Sequence, residues 1–183
     1  MALTMRTSPD DFRRNLEEKY NQIMQDIAEA LYTTCTNAVN RARSTNTYKD
    51  QTNNLRSSIG FVIYHNGQLI FRDFQSGGSG TGGGGEVSFT TGEGKEVSFS
   101  AKVKSDTSGQ RGLLQGEGLA NNIAQRYTSG FIAVIVAGMN YALFVEAKGL
   151  DVLTGSTLDV GEDMKGNLEI INNQYGTSFG VFK

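Results

Sequence analysis

The sequence predicts an α+β fold: a mainly antiparallel sheet packed by a long N-terminal helix and a C-terminal helix, with an inserted β-hairpin arm. Three observations predict it. Apolar residues recur every three or four positions over 9–43, Asn66-Gly67 separates two apolar runs, and Phe131–Ala137 is continuously apolar. We expect residues 1–183 to form a single domain, because a chain of this length can bury its own core.

The first predicted element is one long amphipathic helix. Ser8 can cap it, Pro9 suits its first turn, and Asp10 and Asp11 favour the positive end of its dipole. A helix over 9–43 would be about 50 Å long, which is more than a domain of this size needs. We therefore expect one part to pack on the sheet and another to reach a neighbouring subunit. A helix that only spans its own sheet is the alternative.

A β-hairpin is predicted around Asn66-Gly67, because this pair favours a two-residue type I′ turn. Both faces of its strands, 59–65 and 68–74, carry apolar residues. We expect the long helix on one face and a cover from an insertion or another subunit on the other. The turn also sets a register of three cross-strand pairs: Tyr64 with Leu69, Ile63 with Ile70, and Val62 with Phe71.

Residues 75–116 are predicted to be a Gly-rich flexible insertion that carries a second β-hairpin. The sequence Glu-Val-Ser-Phe occurs at 86–89 and again at 96–99, with the alternation of half-buried strands. Gly78, Gly80 and Gly83 match a dinucleotide-binding spacing. That motif must open directly into a helix, whereas a strand follows here, so we reject the match.

The second half of the chain predicts a helix, a strand and another helix. The first helix is predicted over 119–127, and four of its residues would lie on the same face: Leu119, Ile123, Arg126 and Tyr127. A continuous apolar strand implies burial on both faces, so 131–137 should lie at the centre of the sheet. The residues that follow it, with Tyr141, Phe144 and Val145 among them, are expected to pack within the domain. The C-terminal helix, 157–175, would end at Gly176 and has four core candidates: Leu158, Met164, Leu168 and Ile171.

Composition excludes several classes of protein. The formal net charge is −2 and no basic run occurs, so the chain is not built to hold nucleic acid through its phosphates. Cys35, the single cysteine, is interpreted as a buried small hydrophobe, and His65, the single histidine, as an exposed residue at a loop edge. No apolar stretch approaches the roughly 20 residues that span a bilayer. We expect a soluble protein that is synthesised in the cytoplasm.

The sequence contains no recognisable catalytic or metal-binding pattern. It lacks a nucleophile elbow, a phosphate-binding loop and a His/Cys cluster. Only a hydrolase whose two carboxylates lie far apart in the sequence is left open by these patterns. We therefore predict no catalytic, cofactor-binding or metal residues, no cofactor, and a protein that is not an enzyme.

Two sequence blocks resemble the tail-completion and neck proteins of tailed bacteriophages, the group of the lambda-like minor tail protein. The first block is the long helix followed by Thr52-x-Asn54-Leu55-Arg56-x-Ser58-Ile59 and a hairpin. The second is the apolar strand followed by Tyr141-Ala142-x-x-Val145-Glu146-x-x-Gly149. Members of the family have a Gly before Leu-Arg, where this chain has Asn53-Asn54. The resemblance covers most of the chain outside 75–116.

The resemblance implies a structural virion protein. It would be a ring-forming subunit of the head–tail connector, neck or tail-completion complex, in the manner of a tail terminator. DNA would pass through the ring without sequence-specific binding, and portal, adaptor or tail-tube proteins would be its neighbours at the head–tail junction. A small ligand- or peptide-binding module with a Gly-rich flap is the alternative. Five residues are predicted as subunit-interface candidates: Glu146, Lys148, Arg56, Phe179 and Phe182.

Overall fold

The computed structural model of the protein describes residues 8–45, 47–76 and 108–180, together with the backbone of 84–90 and 96–102. Contacts between Cα atoms divide the chain into two compact units. The first is Met1–Thr34 with Asp159–Lys183, and the second is Cys35–Leu158. Helix α1 (Pro9–Ser44) contributes residues to both units. The predicted α+β class is confirmed, whereas a single domain over 1–183 stays a prediction.

The first unit pairs the beginning of α1 with helix α6 (Val160–Tyr175). The predicted cap is confirmed, because the Ser8 hydroxyl accepts a hydrogen bond from the Asp11 N–H at 3.2 Å. The two helices run antiparallel. Two side-chain hydrogen bonds join them. Tyr175 donates to the Asp26 carboxylate at 2.8 Å, and the Asn167 amide donates to the Thr34 hydroxyl at 3.1 Å. Four apolar side chains of this unit are buried: Ile27, Met164, Leu168 and Ile171.

Two features of helices α1 and α6 and their connection differ from the predicted core. Leu158, a predicted core residue of the C-terminal helix, is 72% exposed because it lies in the connection just before α6. The apolar face of the amphipathic helix α1 is buried only from Ile27 onward. Phe12, Leu16 and Tyr20, which lie before it, are each more than half exposed. The reason is that α6 ends at Gly176, in a left-handed conformation with φ 67°, just past the level of Asp26.

The second unit contains a three-stranded antiparallel sheet in the order β2, β1, β5. These strands are β1 (Ile59–His65), β2 (Gln68–Phe74) and β5 (Phe131–Ala137). The prediction that β5 lies at the centre was wrong. β1 is central, and its first six residues are buried, whereas β5 is an edge strand and mostly half-buried. The apolar run in β5 therefore reflects packing on its faces rather than neighbours on both edges.

The β1–β2 hairpin has the predicted turn but not the predicted register. Asn66 and Gly67 have φ of 50° and 78°, which fits a type I′ turn. Tyr64 pairs with Leu69 as expected, but a β-bulge then shifts the pairing by one residue. Two predicted pairs, Ile63 with Ile70 and Val62 with Phe71, are therefore wrong. The observed pairs are Ile63 with Phe71 and Val62 with Arg72.

The bulge decides which face of the sheet each of two charged residues of β2 occupies. Arg72 lies on one face and forms an ion pair with Glu117 of helix α3 (Gln110–Ala124). Asp73 lies on the other face and forms an ion pair with Arg43 of α1 at 3.2 Å. Each face is thus joined to a different helix. In the predicted register, each of these charges would occupy the opposite face.

The last turns of α1 cover one face of the sheet. The Arg43 guanidinium donates to the Ile59 carbonyl at 2.8 Å, and this face of β1 presents the fully buried Phe61 and Ile63. The buried side of α1 here consists of Cys35, Ala38, Val39 and Ala42. Burial raises the pKa of the Cys35 thiol to about 12, so the thiol stays protonated and unreactive. The prediction that Cys35 is a buried hydrophobe is confirmed.

Helix α3 covers the other face through a stripe of small residues. Gly112, Gly116, Ala120 and Ala124 recur every fourth position and are all buried. A Cβ at Gly116 would collide with the Ser58 carbonyl and the Phe74 ring, and one at Gly112 would collide with the Asn54 backbone. The predicted face was wrong, since Leu119 and Tyr127 are exposed. The helix also begins at Gln110 rather than at 119. Its glycines lie within the helix and allow it to pack closely, and they do not mark its start.

The predicted insertion over 75–116 contains a second hairpin and the start of α3. Strands β3 (Gly84–Thr90) and β4 (Glu96–Lys102) pair antiparallel, with Val87 opposite Phe99, so the second hairpin is confirmed. Residues 110–116 belong to α3. The Gly-rich tract at 77–83 lies outside the described residues. No helix in the described part of the chain has the length and apolar character needed to cross a membrane.

The small-residue stripe makes a testable prediction for Gly116→Ala. The new methyl group would meet the Ser58 carbonyl and Phe74, so we expect a loss of about 1–3 kcal/mol in the free energy of unfolding. Gly118→Ala is the matched control, because a Cβ there meets nothing within 4 Å. It should stabilise the same helix by roughly 0.5–1 kcal/mol. Urea unfolding measures both, and an equal response of the two variants would contradict the close packing.

Candidate functional site

The described surface of the second unit has an open groove of about 630 Å³ between two segments. It is lined by residues of the segments 48–55 and 139–150, and by Arg111 at the start of α3. The first segment leads into helix α2 (Asn54–Ser57), and the second contains helix α4 (Ala142–Ala147). We call this feature the α2–α4 groove. It brings together the two sequence blocks on which the family resemblance depends.

Hydrogen bonds from Ser58 hold the two blocks together. The Ser58 carbonyl accepts from the Gly138 N–H at 3.1 Å, and its hydroxyl accepts from the Met139 N–H at 3.3 Å. The Ser58 hydroxyl in turn donates to the Leu55 carbonyl at 2.7 Å. Ser58 is fully buried, so these bonds are shielded from water. The end of β5 is thereby fixed beside α2, and α4 follows at once.

The segment before α2 is shaped by Asp50 and Arg56. The Asp50 carboxylate accepts a hydrogen bond from the Arg56 N–H at 2.8 Å and so caps the short helix. The Arg56 guanidinium donates to the Thr45 carbonyl at 2.9 Å and lies over the Tyr48 ring at 5.7 Å. Thr52 contributes a long bond, its hydroxyl accepting from the Asn54 N–H at 3.4 Å. Asn53 precedes the helix in a left-handed conformation with φ 59°.

Helix α4 presents apolar side chains to solvent. Ala142 is buried, whereas Leu143 is 78% and Phe144 62% exposed. The prediction that the residues after the apolar strand pack, with Phe144 among them, was therefore wrong for Phe144. Val145, which was expected to pack within the domain, is half-buried, and Tyr141 is 36% exposed. The helix is short because Gly149 follows it with a φ of 77°.

Burial affects two tyrosines of the groove, Tyr48 and Tyr141. Burial raises the pKa of Tyr48 to about 12 and also raises the pKa of Tyr141, so both phenols stay protonated near neutral pH. The described residues include no group of three His, Cys, Asp or Glu side chains that could hold a metal ion. His65 lies elsewhere, stacked on Phe131 with ring centroids 4.2 Å apart.

Of the four predicted interface residues that the structure describes, Lys148 alone lines the groove. It is exposed, and its ammonium group lies 4.5 Å from the centroid of the Phe144 ring. Arg56 is half-buried and bonded within its own unit. Phe179 belongs to the other unit, where its N–H and carbonyl bond to the Asn172 side chain. Phe182 lies outside the described residues. A role of any of these residues between subunits stays a prediction.

Glu146 has an internal structural role. Its carboxylate accepts hydrogen bonds from the Thr154 N–H at 2.7 Å and the Leu153 N–H at 3.4 Å, at the start of helix α5 (Thr154–Thr157). Burial alone would raise the pKa of this carboxyl group. The bonds from Thr154, Leu153 and Val152 outweigh burial and lower the pKa below the ordinary value of 4.5. Glu146 therefore ties α4 to α5.

Sequence patterns missed three residues of the groove: Lys49, Arg111 and Phe144. Lys49 and Arg111 are single cations in polar segments, and nothing local marks them. Phe144 would have been found by treating 142–147 as a helix, because Ala142 and Phe144 then lie on different faces.

No protein-family model, curated protein or solved structure matches the chain.

The bonds of Glu146 predict a pH-dependent effect of Glu146→Gln. A carboxyl group whose pKa is lowered by folding stabilises the fold above its unfolded pKa, and this contribution is lost as the pH falls through the folded value. At pH 7 we expect the variant to lose about 1 kcal/mol in the free energy of unfolding. The difference should disappear well below pH 4.5.

Chemical denaturation at pH 7 and at acid pH measures this difference. Glu169→Gln, which removes an exposed carboxylate on α6, is the control and should change stability little at either pH. A pH-independent loss in the Glu146 variant would show that shape rather than charge carries the effect.

Proposed function

We propose that the protein is a structural subunit of a tailed-bacteriophage virion. It would form a ring in the head–tail connector, the neck or the tail-completion complex. One observation carries the proposal: the two blocks that resemble this family lie far apart in the sequence but line one groove, joined through Ser58. This meeting of the blocks supports treating them as parts of one surface rather than as two chance similarities.

The exposed apolar residues of α4 support an assembly role. Leu143 and Phe144 stand next to each other on a helix and are largely in contact with water. Contact with another chain would remove this apolar area from water, which favours association. In a ring, each subunit uses two different surfaces, so that the contact closes by rotation. Helix α4 would supply one of the two surfaces.

The net charge fits a channel through which DNA passes. A formal charge of −2 gives the phosphate backbone no electrostatic reason to bind along the wall. DNA would therefore cross the ring without sequence-specific contacts. Portal, adaptor or tail-tube proteins would contact the two ends of the ring at the head–tail junction.

The groove itself supports a second candidate, a small ligand- or peptide-binding module. Aromatic and charged side chains line an open space large enough for a short peptide. The Gly-rich flap of that hypothesis falls at 77–83, outside the described residues. The two candidates differ in what loss of the protein does to virus particles.

Interrupting the reading frame in the viral genome that we propose encodes it tests the function. We expect DNA-filled heads and finished tails that are not joined, seen by electron microscopy, and a loss of infectious particles. The wild-type chain supplied from a plasmid should restore joined particles. Normal particles at the parental titre in the absence of the protein would overturn the proposal and leave the binding module as the better candidate.

Variants supplied in the same complementation experiment test the role of α4. The double change Leu143→Ser and Phe144→Ser should fail to restore joining, because it removes the apolar surface while leaving the buried residues in place. Leu114→Ser is the matched control, since Leu114 is a 61% exposed leucine on a helix of the same unit. Equal restoration by both variants would exclude the α4 surface from assembly.

A further inference from the structure

The charges lining the α2–α4 groove are unequal in sign. Lys49, Arg111 and Lys148 are exposed cations, and they come from three different elements. Among the described residues that line the groove, Asp50 is the single carboxylate. It already accepts a hydrogen bond from the Arg56 N–H of its own unit. Apolar surface lies between them, with Phe144 directly beside Lys148. Such a surface fits a segment that carries several carboxylates and an exposed aliphatic side chain.

The same chain carries a segment with these properties at 158–163. Leu158 is 72% exposed, so its side chain is accessible to another chain. Asp159, Glu162 and Asp163 are also exposed, and among the described residues no ion pair or side-chain hydrogen bond engages their carboxylates. The segment thus offers three negative charges and one exposed apolar side chain within six residues.

We propose that the α2–α4 groove of one copy binds segment 158–163 of a second copy. The carboxylates would face Lys49, Arg111 and Lys148, and Leu158 would contact the apolar surface at Phe144. Leu158 does not occupy the groove of its own copy, because it is exposed there. The inference rests on the proposed function and specifies it, since it names both surfaces of the contact between subunits.

The geometry of such a contact suits a closed ring. The groove and segment 158–163 are different surfaces, so the contact is head-to-tail and each copy can give one surface and receive the other. Exposed ion pairs are individually weak and are screened by salt. We therefore expect association that depends on protein concentration and weakens in 1 M salt. Several such weak contacts around a ring reinforce one another once the ring closes.

A charge exchange between the two surfaces tests the inference with the full chain. The groove variant carries Lys49→Glu, Arg111→Glu and Lys148→Glu, and the segment variant carries Asp159→Lys, Glu162→Lys and Asp163→Lys. Each alone places like charges together, so its association constant should fall by at least about tenfold. In an equimolar mixture each groove again meets a segment of opposite charge, so alternating copies should associate as the wild-type chain does.

Sedimentation velocity over a concentration series measures these outcomes. Circular dichroism checks that each variant folds. Lysines in the first turn of α6 oppose its helix dipole and could weaken the helix, so a milder segment variant is also measured. It carries Asp159→Asn, Glu162→Gln and Asp163→Asn. The control reverses three exposed cations outside the groove, by Arg13→Glu, Lys19→Glu and Arg126→Glu, and should associate normally.

Three results would overturn the inference: a folded groove variant that associates like the wild type, a mixture that stays monomeric, or a wild-type chain that is monomeric throughout. If the association constant is the same in the wild type and in the charge-exchange variants, this contact is refuted, although a ring could still form through other surfaces. Failure of the gene-interruption experiment would instead refute the proposed function, so the two failures are distinguishable.

Discussion

The close approach of helix α3 to the sheet is the constraint on which the second unit depends. At Gly112 and Gly116 the helix lies so near to Asn54 and Ser58 that a single added carbon would not fit. Gly138, at the end of β5, meets Gly116 in the same way. Three backbone segments are therefore in contact without side chains between them. Such packing leaves little freedom in their relative position, since interiors of this density do not deform continuously.

This constraint positions the α2–α4 groove. Because Gly116 lies against both Ser58 and Gly138, the chain after β5 is held beside α2, where Ser58 accepts its N–H groups. Helix α4 begins three residues later, with its one buried residue, Ala142, turned inward. Its apolar exposed side and the cations from three elements are then fixed relative to one another. In the proposed contact between copies, a surface built in this way would lose little conformational entropy on binding.

The parts of the fold set by local physics could be predicted from the sequence. Ser8 and Pro9 mark the start of α1, Asn66-Gly67 specifies the first hairpin, and Gly176 ends α6. The parts set by distant contacts could not. The β-bulge decides which helix Arg72 and Asp73 each reach, and no local signal marks it; the stripe on α3 has no strongly apolar side chains. Of the described charged residues that line the groove, Lys148 alone was named as an interface candidate from the sequence, because Lys49 and Arg111 gain meaning only when three parts of the chain meet.

A cryo-electron microscopy structure of the assembled protein, as a ring or within a virion neck, tests the central claim most directly. That claim is that the surface formed by the two joined sequence blocks is a contact between copies. The account predicts that Phe144 and Lys148 of each copy are buried against the next copy around the ring. A ring in which the α2–α4 groove faces the channel or bulk solvent in every copy would contradict it.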